Sequence, residues 1–176
     1  MTNGLNILGS GLLTQNLILL QGLGMYALTR HTKSVAGAAK AGAGMLGAMV
    51  TAAVGVWALD FVAIPESLSL VSYLIVAGFA AFLWQRIFSE STNLTDGLLD
   101  SALVGLLLLL ARDHISGFAA VGYAISAGLG YFLVLTVIAY LRHQLELAPI
   151  PKAFRGVPLV LITAGLLGMA LLGFKL

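Results

Sequence analysis

The stretch LTDGLLDSALVGLLLLLARD, residues 94–113, contains an apolar run that suits only a lipid bilayer or a deeply buried core. It also carries Asp96 and Asp100, whose spacing of four would place both carboxylates on one face of a helix. The chain of 176 residues is 60% hydrophobic and 9% charged, with a mean hydropathy of +1.02. Soluble domains carry about 25% charged residues. The composition therefore predicts an integral membrane protein.

The apolar segments predict six transmembrane helices, since one span takes about 20 mostly apolar residues. The predicted spans are 5–29, 36–59, 68–88, 94–111, 117–142 and 156–174. We expect one all-α transmembrane domain over 1–176, with a first three-helix half at 1–90 and a second at 91–176. The first span is not expected to be a signal peptide, because no Lys or Arg precedes Arg30.

Spans one and four are irregular. In span one, Gln15, Asn16 and Gln21 lie at membrane depth and are followed by Gly22 and Gly24, while span four combines its two aspartates with glycines. Polar residues and glycines at matching places in two halves indicate discontinuous helices in inverted-repeat folds. Each half has three spans. Because three is an odd number, the second half starts on the opposite side of the membrane, so two halves of one fold would be inverted relative to each other. We predict a 3+3 inverted repeat in which helices one and four are discontinuous.

Two spans carry small residues every four positions, a spacing that lets membrane helices pack closely. These stripes predict helix–helix contact rather than a ligand site. They consist of Ala43, Gly47, Thr51 and Gly55 in span two, and of Gly122, Ser126 and Gly130 in span five.

The basic residues lie mainly in the connectors after spans one, three and five. The positive-inside rule assigns these connectors to the cytoplasm and both termini to the outside. The short loops leave no room for a soluble domain, and the net charge of +2 does not indicate nucleic-acid binding. The basic connectors carry Arg30, Lys33, Arg86, Arg142, Lys152 and Arg155, against Arg112 and Lys175 on the other side.

The sequence contains no motif of soluble catalysis, so we expect no catalytic residue, no metal ligand and no complete catalytic site in this chain. The absence of cysteine excludes thiolate-held clusters and cysteine nucleophiles. An acid at bilayer depth is costly and commonly marks an ion or proton path. Asp100 is the first candidate for such a path, and Asp96 is either a second one or a helix cap. Gln15 and Asn16 either complete this polar site or bond neighbouring helices.

The segment APIPKAFRGVPLVLITAGLLGMALLGF, residues 148–174, resembles the end of the six-helix membrane subunits of the Rnf and Nqr complexes, the RnfA and NqrE type. The shared features are Pro151, the step Phe154, Arg155 and Gly156, and the Ile-Thr-Ala-Gly-Leu helix at 162–166. Three further features occur in the same order as in that family: Asn16, the LGM at 23–25 and the AYLRHQLE at 139–146. The resemblance therefore covers essentially the whole chain.

This resemblance implies a 3+3 inverted repeat, a homologous sister subunit, and membership of a complex that couples electron transfer to Na⁺ or H⁺ translocation. It also implies a location in the cytoplasmic (inner) membrane of a bacterium or archaeon, in contact with lipid and with other subunits that carry flavin and iron–sulfur clusters. The family's two cysteines, which help to hold a [2Fe–2S] cluster, fall on Tyr26 and Ser101 when aligned without gaps. We therefore expect this chain to bind no cofactor alone.

Three functions remain open from the sequence. The chain is a diverged subunit of a redox-driven ion-translocating complex, a small stand-alone ion- or proton-coupled transporter that uses Asp100, or a membrane scaffold with no chemistry. The whole-chain resemblance favours the first, and the missing cysteines argue against an electron-carrying role rather than against assembly.

Overall fold

A computed structural model describes residues 16–59, 66–88, 101–113, 115, 117–147, 149, 151 and 154–173 of the protein. All regular secondary structure in these residues is helical, which confirms the all-α prediction for them. The helices are α1 (Met25–His31), α2 (Val35–Leu59), α3 (Glu66–Phe88), α4 (Ser101–Arg112), α5 (Phe118–Glu146) and α6 (Val157–Leu172).

Within the described residues the helices follow the predicted spans, with two differences; residues 5–15 of span one and 94–100 of span four lie outside the described residues. Residues 16–24 of predicted span one are not helical, and α5 continues to Glu146, so the last connector is shorter than the sequence suggested. By length and composition, α2 and α5 can each cross a membrane, whereas the apolar parts of α3, α4 and α6 are shorter.

The centre of the bundle is the antiparallel pair of α2 and α5, which make the most extensive helix contact. Close approach depends on glycine: Gly42 lies against Phe132, and Gly128 lies against the backbone of Leu46. Helix α5 approaches α2 through Gly128, which does not belong to the stripe predicted in span five. Of that stripe, an added Cβ at Gly122 would meet no atom within 4 Å, whereas Ser126 and Gly130 are buried, as packing residues are.

The stripe predicted in span two packs against α3. Gly47 lies under the indole of Trp84, and Gly55 lies against Val76. Along the contact, the residue numbers of α3 decrease as those of α2 increase, so the two helices are antiparallel. The small residues of α2 are packing residues, as predicted.

Two contacts define the ends of the bundle. At one end, Nη1 of Arg142 donates to Oγ1 of Thr32 at 3.4 Å, which joins the end of α5 to the residue after α1. We call this the basic end. At the opposite end, Gly117, just before α5, lies beside the indole of Trp57 near the end of α2. The connectors after α1 and α5 therefore share one end, as the charge pattern predicted.

Candidate functional site

The segment of residues 16–24 forms a compact non-helical turn in the interior of the bundle. Asn16, Leu17 and Ile18 are each at most 1% exposed. The side chain of Asn16 folds back on the chain, and its Oδ1 accepts hydrogen bonds from the backbone N–H of Ile18 at 3.1 Å and of Leu19 at 3.2 Å. An asparagine that caps a turn in this way satisfies donors that would otherwise be unpaired in an apolar environment.

Two glycines end the turn and start α1. The N–H of Gly22 donates to the carbonyl of Ile18, and the N–H of Leu23 donates to the carbonyl of Leu17. Gly22 and Gly24 then take φ angles of +68° and +83°, in the left-handed region that favours glycine. The sequence Gly-Leu-Gly therefore ends the turn and allows α1 to begin at Met25.

The start of α4 meets the start of α1 at this turn. The backbone N–H of Gly24 donates to Oγ of Ser101, the first residue of α4, at 2.9 Å. From here α1 runs to the basic end, and α4 runs towards the opposite end. Their lengths are about 10 Å and about 18 Å at 1.5 Å per residue, so the meeting point lies between the two ends of the bundle and at neither of them. We call residues 16–24 together with Ser101 the junction.

Glycines on α4 and α6 leave the space that the turn occupies. A Cβ added at Gly105 would clash with Cδ1 of Leu23, and one added at Gly168 would lie 2.8 Å from the carbonyl oxygen of Leu19. Gly168 belongs to a buried stripe of α6 that also contains Val160 and Ala164. The Ile-Thr-Ala-Gly-Leu motif thus includes one residue, Ala164, on the face of α6 that closes over the turn.

One side of the junction is open to the exterior. Gln21, Gly22 and Ser101 are exposed there, and Tyr26 is 37% exposed. The hydroxyl of Tyr26 accepts a hydrogen bond from Arg30, whose guanidinium also lies 5.7 Å from the centre of the Tyr26 ring. We call these four exposed residues, Gln21, Gly22, Tyr26 and Ser101, the junction face.

The structure brings three of the predicted site residues to the junction: Asn16 and Ser101 within it, and Tyr26 in the first turn of α1. Gln15, Asp96 and Asp100 lie outside the described residues. Sequence reasoning missed the role of Gly168, although its spacing of four from Ala164 was a visible signal. It also missed the bond between Thr32 and Arg142, which no local pattern indicates.

The residues at the junction do not fit an iron–sulfur cluster. Thiolates hold such clusters, and the chain has no cysteine. The hydroxyl of Tyr26 is bonded to Arg30, and Oγ of Ser101 accepts the N–H of Gly24. Among the described residues, no three His, Cys, Asp or Glu side chains are grouped as a metal site. The expectation that this chain supplies no metal ligand stays a prediction.

A bundle of long apolar helices, in which two shorter helices begin at an internal turn, defines a helical membrane protein. The Rnf-Nqr family, described as "Rnf-Nqr subunit, membrane protein", matches residues 5–176. This chain belongs to the Rnf-Nqr family of membrane subunits.

Individual relatives agree with the family match. The chain is similar to RnfA of the ion-translocating oxidoreductase complex of Syntrophotalea carbinolica, at 29% identity over 187 residues that cover 99% of this chain and 97% of the relative. The protein of the same name from Edwardsiella ictaluri is 29% identical over 188 residues, with the same coverage. A shorter match, 38% over 73 residues, covers 42% of this chain and 38% of the Aeromonas hydrophila protein.

Proposed function

We propose that this chain is a multi-pass membrane subunit, in the position that RnfA holds, of a complex that couples electron transfer to the translocation of Na⁺ or H⁺. The observation that carries this proposal is the family match over residues 5–176, which covers nearly the whole chain. The relatives named RnfA align over 99% of the chain, which supports the same position in the complex.

The proposed architecture is a 3+3 inverted repeat in which helices one and four are discontinuous. Two observations support it. Helices α1 and α4 begin at the same junction and run to opposite ends of the bundle. Helices α2 and α5, which follow them in the two halves, form the central antiparallel pair. An axis between α2 and α5 would relate the halves by inversion in the membrane.

The proposed partner at the junction face is a homologous sister subunit. Non-helical backbone at membrane depth is tolerated only where protein or a water-filled cavity covers it. Gly22 and Gln21 expose such backbone, and Tyr26 and Ser101 add exposed polar groups beside it. A second membrane protein that covers this face removes the cost of presenting polar groups to lipid.

The chain is proposed to assemble without ligating a [2Fe–2S] cluster itself. Flavin and iron–sulfur clusters then belong to the partner subunits, and this chain holds the mid-membrane turn in place by hydrogen bonds from Gly24 and to Asn16. Electron transfer past the junction requires groups that other subunits supply.

The proposed ion or proton path includes Asp100, with Asp96, Gln15 and Asn16 as further members. Asp100 is the residue before Ser101, and Gln15 is the residue before Asn16, so both are adjacent in sequence to junction residues. Asp100→Asn should abolish ion-coupled activity of the intact assembly. Asp113→Asn, at an exposed aspartate beyond the far end of α4, should leave that activity unchanged.

Purification of the tagged chain from its native host in mild detergent tests the assignment as a whole. Mass spectrometry should find flavin- and iron–sulfur-containing subunits in fixed proportion, and iron analysis should give fewer iron atoms than a complex with the central cluster. Recovery of the chain alone or only with its own copies would refute the complex and favour a stand-alone transporter. A complete complex whose activity is insensitive to Asp100→Asn would leave only the scaffold role.

A further inference from the structure

The guanidinium of Arg30 is held towards the junction rather than at the basic end. Arg30 is exposed in the last turn of α1, where a long basic side chain commonly extends outwards to the lipid headgroups. Here it donates instead to the hydroxyl of Tyr26, which is four residues nearer the junction, and it lies 5.7 Å from the centre of that ring. Side chains on a helix lean towards the start of the helix, so the Tyr26 ring draws the guanidinium further in this direction.

This arrangement places a positive charge at the edge of the junction face. The four residues of that face carry no formal charge. Arg30 shares the exposed side of α1 with Tyr26, because residues four apart lie on one face of a helix, whereas Ala27 and Leu28 are buried on the other side. The charge of Arg30 therefore belongs to the surface that the proposed sister subunit covers.

A second membrane protein that covers this charge has to match it. Enclosing an arginine in a protein or lipid environment is costly unless an opposite charge accompanies it. The guanidinium carries five N–H donors in a planar fork, and a carboxylate accepts two of them side by side. Because Tyr26 already holds the guanidinium in place, a carboxylate meets it with little further loss of side-chain freedom.

We propose that the sister subunit presents an aspartate or glutamate to Arg30, and that Tyr26 positions Arg30 for this ion pair. The inference rests on the proposed function, because it assigns the chemistry of the partner that covers the junction face. Charge complementarity selects an acid. Gly22 exposes non-helical backbone on the same face, which protein covers and lipid does not, so the acid is a protein carboxylate rather than a lipid phosphate.

A carbodiimide tests this contact directly, since it joins a carboxylate to a primary amine as an amide and takes up the water that is lost. The tagged chain carries Arg30→Lys, which introduces an amine at this position, and Lys33→Arg, which removes a nearby native amine. The complex is purified from the native host in mild detergent and treated with a hydrophobic carbodiimide. Mass spectrometry should find an amide between position 30 and one aspartate or glutamate of the sister subunit. Lys33→Arg alone, and Lys33→Arg with Arg112→Lys at the opposite end, should give no amide to the sister.

Retention of the sister subunit gives a second measurement. Arg30→Gln should weaken its association about tenfold or more, the effect expected for one hydrogen bond to a charged group, measured as sister subunit per chain when the purified complex is diluted. Tyr26→Phe keeps the charge and removes only the hydroxyl that positions it, so it should weaken association by a smaller factor. Lys40→Gln, which removes an exposed cation of α2, should leave association unchanged.

The outcomes separate this inference from the proposed function. A wild-type chain that purifies without a sister subunit would refute the proposed function itself. A wild-type complex in which Arg30→Gln and Lys40→Gln retain the sister equally would overturn the ion pair alone. Absence of the amide at position 30, as expected if a lipid phosphate covers Arg30, would also overturn it. An amide to an acid of this chain would make the ion pair internal and would equally overturn the proposal.

Discussion

Replacement of Gly168 by alanine tests whether α6 holds the junction closed. The added Cβ would lie 2.8 Å from the carbonyl oxygen of Leu19 and 3.6 Å from its carbonyl carbon. The contact is with backbone, and the same residue is fixed on its other side because its N–H donates to Oδ1 of Asn16. The turn therefore cannot yield by rotating a side chain, and the helix and the turn have to separate.

The size of the effect follows from this geometry. Ordinary van der Waals contact begins at 3.4 Å, so α6 and the turn have to separate by about 0.6 Å. That separation also loosens the contacts of Val160 and Ala164 on the same stripe. Overpacking of this kind costs about 1–3 kcal/mol. Both Gly168 and Gly165 lie inside α6 and gain the same helix propensity when replaced by alanine, so Gly168→Ala should be less stable than Gly165→Ala by about 1–3 kcal/mol.

Gly165→Ala is the matched control, because a Cβ at this exposed position of α6 meets no atom within 4 Å. It should be neutral or stabilising by up to about 1 kcal/mol through helix propensity. Unfolding of the purified proteins in SDS gives the free energies, and deuterium exchange of the peptide over residues 17–24 gives the opening of the turn. Equal free energies of unfolding for Gly168→Ala and Gly165→Ala, or equal deuterium exchange of the turn in both, would refute closure of the junction by α6.

Three further changes probe the junction, the last connector and the orientation. Ser101→Ala removes the acceptor of the Gly24 N–H and should lower the free energy of unfolding in SDS by about 1–3 kcal/mol. An unchanged free energy would show that another acceptor takes the place of Ser101. Gly156→Ala, at φ +90° with no atom near its Cβ, should cost about 1–3 kcal/mol in the same assay from backbone strain alone. Because the chain has no cysteine, Lys33→Cys and Arg112→Cys are single labelling sites. An impermeant maleimide should label intact cells only at position 112, and labelling at 33 instead would reverse the proposed orientation.

The sequence predicted the helical elements well, because apolar segments of this length have few alternatives in a bilayer. The predicted boundaries 36–59 and 68–88 lie within two residues of Val35–Leu59 and Glu66–Phe88. The stripe of span two was correctly interpreted as packing, since a face of small residues at helical spacing can only admit a close neighbour. Helix length and small-residue periodicity are local properties, and for that reason they can be predicted from the sequence.

The site was predicted less completely. Asn16 and the glycines after it indicated an irregular span one, because polar and flexible residues are costly within a regular membrane helix. The hydrogen bond from Gly24 to Ser101 joins residues 77 apart in sequence, and no local sequence pattern predicts it. The stripe of span five was predicted at Gly122, Ser126 and Gly130, of which the last two are buried. The close approach of α5 to α2 is nevertheless at Gly128, because the partner's side chains decide which small residue is used.

Composition and residue spacing are enough to predict that this chain is helical, apolar, free of thiolate ligands and basic mainly at one end, because these properties exist before any contact forms. Where the chain turns inside the bundle, and what holds the turn, follows only from the contacts between helices. Asn16, Gly24 and Ser101 satisfy backbone groups that lipid cannot, and Gly105 and Gly168 leave the space that the turn occupies. These roles depend on distances between helices, which packing of the whole bundle sets.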